Sequence, residues 1–262
     1  MPSLRTMTGR RVFIAVVFFM AALTACSGDT GFCGQVREIP KRECSALLSF
    51  YENTGGLEWK DQRGWLASHT PCSWFGVGCT DGHVTSIAIN YNELTGNLPP
   101  ELGNLSKLKT LSLYFNHFEG VIPPEIGELS DLETLIIHNN DLSGSLPPEL
   151  GNLTSLRKLD LDSNQLSGPI PPELGNLSEL RELMLRGNRL SGTIPPDLSN
   201  LSKLEGLFLS NNDLSGVIPP EFVELSNLRM FSFYGNVLSD QLPPSLQGIP
   251  SSGYDTLGWG DD

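Results

Sequence analysis

Basic residues are scarce in this chain. Lys and Arg number 17 against 30 Asp and Glu, and with four histidines the formal charge is −13. Phosphate binding needs a positive face, so a nucleic-acid groove is excluded. Cysteine is also scarce, five in 262 residues, and none follows Cys79. No apolar run reaches the roughly 20 residues of a comfortable transmembrane helix. The run from Val12 to Leu23 falls short of that. A phosphate-cradling glycine loop, an H-E-x-x-H pair and a nucleophile elbow are all missing, so no enzyme class and no cofactor is indicated.

What is abundant is glycine and proline, 27 and 19, and both are periodic. Seven Pro-Pro pairs start at Pro99, Pro123, Pro147, Pro171, Pro195, Pro219 and Pro243, each 24 residues after the last. Asn92, Asn116, Asn140, Asn164, Asn188, Asn212 and Asn236 keep the same register. Spacing without a slip means one structural coil per repeat. Within a coil, alternating apolar residues such as Leu159 and Leu161 read as a short strand with one buried face. Stacked coils then form a parallel sheet in which each repeat is stabilised by its neighbours. Each Asn can satisfy backbone groups freed where the chain turns inward. Gly96, Gly120, Gly144, Gly168, Gly192 and Gly216 supply backbone angles that other residues avoid, and Asp240 replaces them in the seventh coil. Proline followed by an acid suits a helix start, which places Glu101, Glu125, Glu149, Glu173, Asp197 and Glu221 at helix N-termini on the convex side rather than in a cation-binding row.

The coil pattern L-x-x-L-x-L-x-x-N-x-L-S-G-x-I-P-P-E-L-G-N-L-S-x, over residues 82–248, resembles the plant-type 24-residue leucine-rich repeat. The resemblance implies an α/β repeat solenoid: a horseshoe with short parallel strands on its concave face and a cysteine-containing N-terminal cap. "ECSALLSFYENTGGLEWK" and "PCSWFGVGC", within residues 41–81, resemble the cap of plant receptor ectodomains. In the first stretch Leu47, Phe50 and Tyr51 share a helical face that Gly55 can end. Trp59, Trp65 and Trp74 read as cap core. Plant members carry a second cysteine pair after the last repeat. This chain has none, so residues 249–262 must cover the last coil with Ile249, Tyr254, Leu257 and Trp259, or serve as a docking tail.

At the N-terminus, Arg5, Arg10 and Arg11 precede the apolar run and "LTAC" follows it, which is the layout of a secretory signal. The small residues ending on cysteine resemble the lipobox of bacterial lipoproteins. That implies cleavage after residue 25, acylation of Cys26, a tether over residues 26–40 and a bacterial envelope location, with Ser27 pointing to the outer membrane. An ordinary secretory signal is the alternative. Removing residues 1–25 leaves 14 basic and 30 acidic residues, a charge of −16. Four cysteines then remain: Cys33, Cys44, Cys72 and Cys79. Local pairing gives Cys33–Cys44 and Cys72–Cys79, and the resemblance implies the second pair. Zinc is the rival, but the short C-x2–4-C hook is absent. The sequons at Asn104, Asn152, Asn176 and Asn200 are the repeat's own GNLS turn.

Core letters are set by the fold, so partner information must sit at the strand positions that vary and point outward. One column reads Ala88, Ser112, Ile136, Asp160, Met184, Phe208, Ser232. The next reads Asn90, Tyr114, His138, Asp162, Arg186, Ser210, Tyr234. A third reads Tyr91, Phe115, Asn139, Ser163, Gly187, Asn211, Gly235. Tyr91, Tyr114, Phe115 and Ile136 form one expected cluster; Phe208, Met230 and Tyr234 form another. Asp160, Asp162, Arg186 and Arg189 lie between them. Exposed aromatics around central charges suit a recognition surface. The expected function is non-enzymatic binding of a protein or peptide on the concave face. An inhibitor of a secreted enzyme, resembling polygalacturonase-inhibiting proteins, and a carbohydrate- or ice-binding adhesion surface are the alternatives. His138, Asp162 and Arg186 read as an ion-pair ladder, since no nucleophile accompanies the histidine. The surrounding oxygens are too few to make Asp160 and Asp162 a calcium site.

Overall fold

The computed structural model describes residues 31–239 and 242–249. The expected signal peptide over residues 1–25, Cys26, Asp240, Tyr254, Leu257 and Trp259 lie outside the described residues. The described residues open with two helices, α1 (Phe32–Gln35) and α2 (Lys41–Asn53), and an antiparallel pair, β1 (Val77–Thr80) and β2 (His83–Ala88). From β2 onward the sheet is parallel and runs through Thr110–Ser112, Thr134–Ile136, Lys158–Asp160, Glu182–Met184, Gly206–Phe208 and Met230–Ser232. Residues 24 apart are aligned throughout: Leu111 faces Leu135, Leu135 faces Leu159, and Leu159 faces Leu183. Further strands such as Arg189–Thr193 and Asp213–Gly216 pair on a second, lateral sheet.

The leucines form one continuous core, with Leu111, Leu113, Leu135, Leu159, Leu161 and Leu183 fully buried. The asparagine ladder behaves as the repeat spacing predicts. Asn140 Nδ2 donates to Ile137 O in its own coil and to Leu113 O in the coil before, both at 3.1 Å, and its Oδ1 accepts from Phe118 N–H at 3.0 Å. Asn164, Asn188 and Asn212 repeat the arrangement, so each amide satisfies backbone of two coils. Asn92 serves the cap instead, donating to Asp61 O and accepting from Asp61 N–H.

The convex segments start at proline as expected, but they are 3₁₀ helices, five residues long in the first six coils, as in Pro100–Asn104 and Pro148–Asn152, and three in the last, Pro244–Leu246. A 24-residue coil leaves too few residues there for a longer α-helix, and i→i−3 bonds such as Leu150 N–H to Pro147 O close the turn. These segments pack very closely. A Cβ on Gly127, Gly151 or Gly175 would lie 2.3 Å from a backbone carbonyl of the next coil, so glycine is needed for contact rather than for angle.

The cap reaches further than residues 41–81. Cys33 is bonded to Cys44 and Cys72 to Cys79, and Val36 and Ile39 are buried. Residues 32–40 are therefore packed cap structure rather than tether, because the first disulfide and these apolar side chains pin α1 to α2. Trp59, Trp65 and Trp74 are buried, and the rings of Trp59 and Trp65 lie 5.0 Å apart. Phe50 extends this cluster to Phe118 of the repeats at 6.3 Å. Glu43 is wholly buried at the start of α2; its carboxylate meets His83 Nδ1 at 2.6 Å and accepts from Val84 N–H. At the other end Ile249 packs partly against the core.

Candidate functional site

The concave sheet aligns the first variable column: Ser112 faces Ile136, Ile136 faces Asp160, Asp160 faces Met184, and Met184 faces Phe208. The second column continues the ladder one residue beyond the next core leucine. The third does not lie on the strands. Its members sit past the strand end, all left-handed: Tyr91 φ 53°, Phe115 φ 54°, Asn139 φ 54°, Ser163 φ 54°, Gly187 φ 63°, Asn211 φ 56° and Gly235 φ 67°. Asn and Gly tolerate this conformation, whereas for Tyr and Phe it costs about 1–2 kcal/mol. The Asn and Gly members of this column were a readable sign of that geometry.

The two strained aromatics anchor a ring cluster. Tyr91 stacks on Phe115 with centroids 4.5 Å apart and planes at 11°. Tyr114 stacks on His138 at 4.8 Å and 7°. The two stacks meet edge to face, Tyr91 to Tyr114 at 5.3 Å and 89°, and Phe115 to His138 at 5.4 Å and 83°. Tyr91 is 58% exposed and Phe115 42% exposed. Ile136 is half-buried in the adjoining strand. A shallow groove of about 510 Å³ opens beside the exposed stack, lined by Lys60, Tyr91, Phe115, His117, Asn139 and Asp141.

The centre of the face differs from the expected charged ladder. Arg186 is locked to Asp162: its Nε donates to Oδ2 at 2.7 Å and its backbone N–H to Oδ1 at 2.6 Å. The guanidinium also lies over the Phe208 ring at 5.0 Å. His138 does not join this pair; it stacks on Tyr114, and its Nδ1 lies 2.6 Å from Asn139 Nδ2. Asp160 and Asp162 are buried rather than exposed, because the curved sheet crowds neighbouring side chains over them. Asp160 Oδ1 accepts from Asp162 N–H at 3.3 Å. Burial and the adjacent Asp162 carboxylate hold the Asp160 carboxyl above its ordinary range, with His138 and Lys158 opposing. Among the described residues no three His, Cys, Asp or Glu side chains group to hold a metal ion.

Three further expectations need correction. Phe208 is buried, because its ring folds over the space left by Gly206, so it offers no exposed aromatic surface. Tyr234 is half-buried and Met230 exposed, but Met230 aligns with Gly206 and not with Phe208. No ring contact joins Tyr234 to Phe208 among the described residues, and the second cluster does not form. Arg189 begins a lateral strand, where its Nη2 donates to Gln165 Oε1 at 3.2 Å, so it is off the concave face. Met184 stays on that face, half-buried between Asp160 and Phe208.

A family model described as a leucine-rich repeat region matches residues 88–247. The chain belongs to the leucine-rich repeat family. Among curated leucine-rich repeat relatives, the probable inactive receptor kinase RLK902 of Arabidopsis thaliana is 42% identical over 72 residues, covering 26% of this chain and 10% of that protein. The chain thus spans about a tenth of the length of that relative. Among solved structures, a plant ice-binding protein has a TM-score of 0.69 at 31% identity, covering 80% of this chain and 77% of that one. Pollen Receptor Kinase 3 has a TM-score of 0.63 at 34% identity, covering 76% and 96%. The plant peptide hormone receptor RGFR1, solved in complex with RGF2, has a TM-score of 0.60 at 38% identity, covering 61% and 26%.

Proposed function

We propose that this chain is a membrane-anchored, non-enzymatic recognition module that binds a protein or peptide on its concave leucine-rich repeat face. The observation that carries this reading is the cluster of Tyr91, Phe115, Tyr114 and His138, in which two exposed aromatics are held in left-handed backbone. Strain kept at an exposed position, where a residue such as Asn would relieve it, points to a use for the side chain. Large rigid rings beside a shallow groove also provide contact area at low entropic cost. The peptide-hormone receptor among the similar structures supports the same reading.

Anchoring is proposed through acylation of Cys26. The two disulfides occupy Cys33, Cys44, Cys72 and Cys79, and Cys26 is the fifth cysteine. Two or more acyl chains give stable membrane attachment. Among the described residues no helix is long and apolar enough to cross a membrane. Envelope localisation, on the outer membrane, belongs to this proposal. Growth with an alkyne-tagged fatty acid should label the wild-type chain and leave Cys26→Ser unlabelled; equal labelling would remove the anchor.

Binding is tested by affinity capture from envelope and medium extracts on the wild-type chain beside a Tyr91→Ala/Phe115→Ala double variant. A partner retained by the first and released by the second is expected. Equal recovery on both folded baits contradicts the site. The likeness to a plant ice-binding protein favours a second reading, adsorption to a repeating solid surface. Such surfaces suit rows of one residue type, whereas the concave columns change at almost every coil. Thermal hysteresis in a freezing assay would establish the second reading, and its absence would remove it.

A further inference from the structure

The concave centre holds one buried carboxylate, Asp160, that no side chain pairs with among the described residues. Asp160 is 6% exposed and accepts a single hydrogen bond, from Asp162 N–H to Oδ1. Its Oδ2 has no hydrogen-bond partner among the described residues. The nearby cations are committed elsewhere. Arg186 is held by Asp162 and stacked on Phe208, and Lys158 Nζ is paired with Glu182 Oε2 at 2.6 Å. His138 is stacked on Tyr114. A buried carboxylate left in this state is costly unless it is paired, and here the open side is the concave face where the proposed partner lies.

We infer that, on the proposed concave binding face, Asp160 pairs with a Lys or Arg side chain of an extended peptide whose aromatic or large apolar residue, four positions away, packs on the Tyr114–Phe115 ring cluster. This inference rests on the peptide-binding reading and names the chemistry of the ligand. The spacing follows from the sheet. The Thr110–Ser112 strand, which leads into Tyr114, and the strand of Asp160 are two steps apart, with Thr134–Ile136 between them. Strands lie about 4.8 Å apart and Tyr114 lies two residues beyond Ser112, which is in register with Asp160, so the two subsites are separated by about 12 Å. An extended peptide rises about 3.3 Å per residue and alternates its side chains between two faces, so a gap of about 12 Å read from one face makes four residues. The acidic balance of the whole chain, −13, favours the approach of a basic peptide. An aromatic near the Tyr91–Phe115 stack and a cation at Asp160 then use both unusual features of the face.

The test is a library of N-acetylated hexapeptide amides with one fixed aromatic and every other position varied, read on the purified full chain. The expected result is enrichment of Lys and Arg four positions from the aromatic. Asp160→Asn, which keeps the acceptor for Asp162 N–H, should lower the affinity of those peptides about tenfold or more while leaving the aromatic preference intact. Replacing the peptide's Lys by Gln should cost the wild-type chain as much, a readout independent of how the variant folds. Lys and Arg enrichment that survives Asp160→Asn overturns the inference. So does enrichment of neutral or acidic residues at that position, or displacement of the peptides by calcium chloride, which would make Asp160 part of an inorganic cation site. A Tyr114→Ala/Phe115→Ala variant separates the two levels. Binding that depends on the rings but lacks the basic preference overturns this inference alone. Binding indifferent to the rings overturns the concave reading as well.

Discussion

At Asp160 the fold carries a cost that the ligand is proposed to remove, and the cost has a pH signature. The folded carboxyl is held above the range it has in the unfolded chain, through burial first and Asp162 second. The native state therefore binds the proton more tightly than the unfolded state, and stability rises as pH falls through the folded value toward the unfolded one. Asp160→Asn should melt higher than wild type at neutral pH, and the advantage should shrink as pH falls from the raised folded value down to the ordinary carboxylate range. Melting curves across pH check this; a lower melting point at pH 7 would mean the carboxylate is structurally satisfied. A second residue-scale prediction concerns Tyr91 and Phe115. Replacement by Asn relieves about 1 kcal/mol of left-handed strain each and forfeits ring stacking of about 0.5–1.5 kcal/mol. Urea unfolding should change by no more than about 1 kcal/mol, while partner affinity falls at least tenfold. A loss of several kcal/mol of stability would make the rings a structural brace.

Much of this was readable at the level of the element. Drift-free spacing placed every ladder asparagine and every core leucine, because a fixed period leaves the coil one register. The cap helix and its buried tryptophans were readable from one apolar face and its terminating glycine. The concave site was only half legible. Tyr114, Phe115 and Tyr91 were picked from their column letters, but burial of Asp160, Asp162 and Phe208 depends on how tightly the sheet curves, which alternation alone does not report. Arg189 was misplaced because the strand ends at the left-handed residue and the chain turns onto the lateral sheet there. Two element-scale predictions follow from the coil contacts. Asn164→Ala strips buried partners from Ile137 O, Leu161 O and Leu142 N–H and should cost about 3 kcal/mol in urea unfolding. Gly151→Ala places a methyl 2.3 Å from Glu173 O, between two backbones that cannot rotate away, and should cost about 2 kcal/mol or more by the same assay. Neutral behaviour of either variant would contradict the proposed inter-coil packing.

Across the whole molecule, a linear array joins a disulfide-stapled cap to a concave face whose exposed rings lie on its first coils and whose buried Asp160 lies at its centre. Stability in such an array is a sum of coil and interface terms, so the cap and the coils it supports hold the recognition residues on the best-braced end. Trp59, Phe50 and Phe118 link that cap to the coils that carry Tyr91 and Tyr114. The central claim is that a partner sits on these coils, and it is tested most directly by site-specific photocrosslinking. A benzophenone side chain at position 115, on the concave rim, is compared with one at Val223, which is exposed on the convex 3₁₀ helix Pro220–Glu224. Covalent capture of the partner from 115 and not from 223 is the predicted result. Capture from 223 alone, with both chains folded, would place recognition on the convex side and contradict the account.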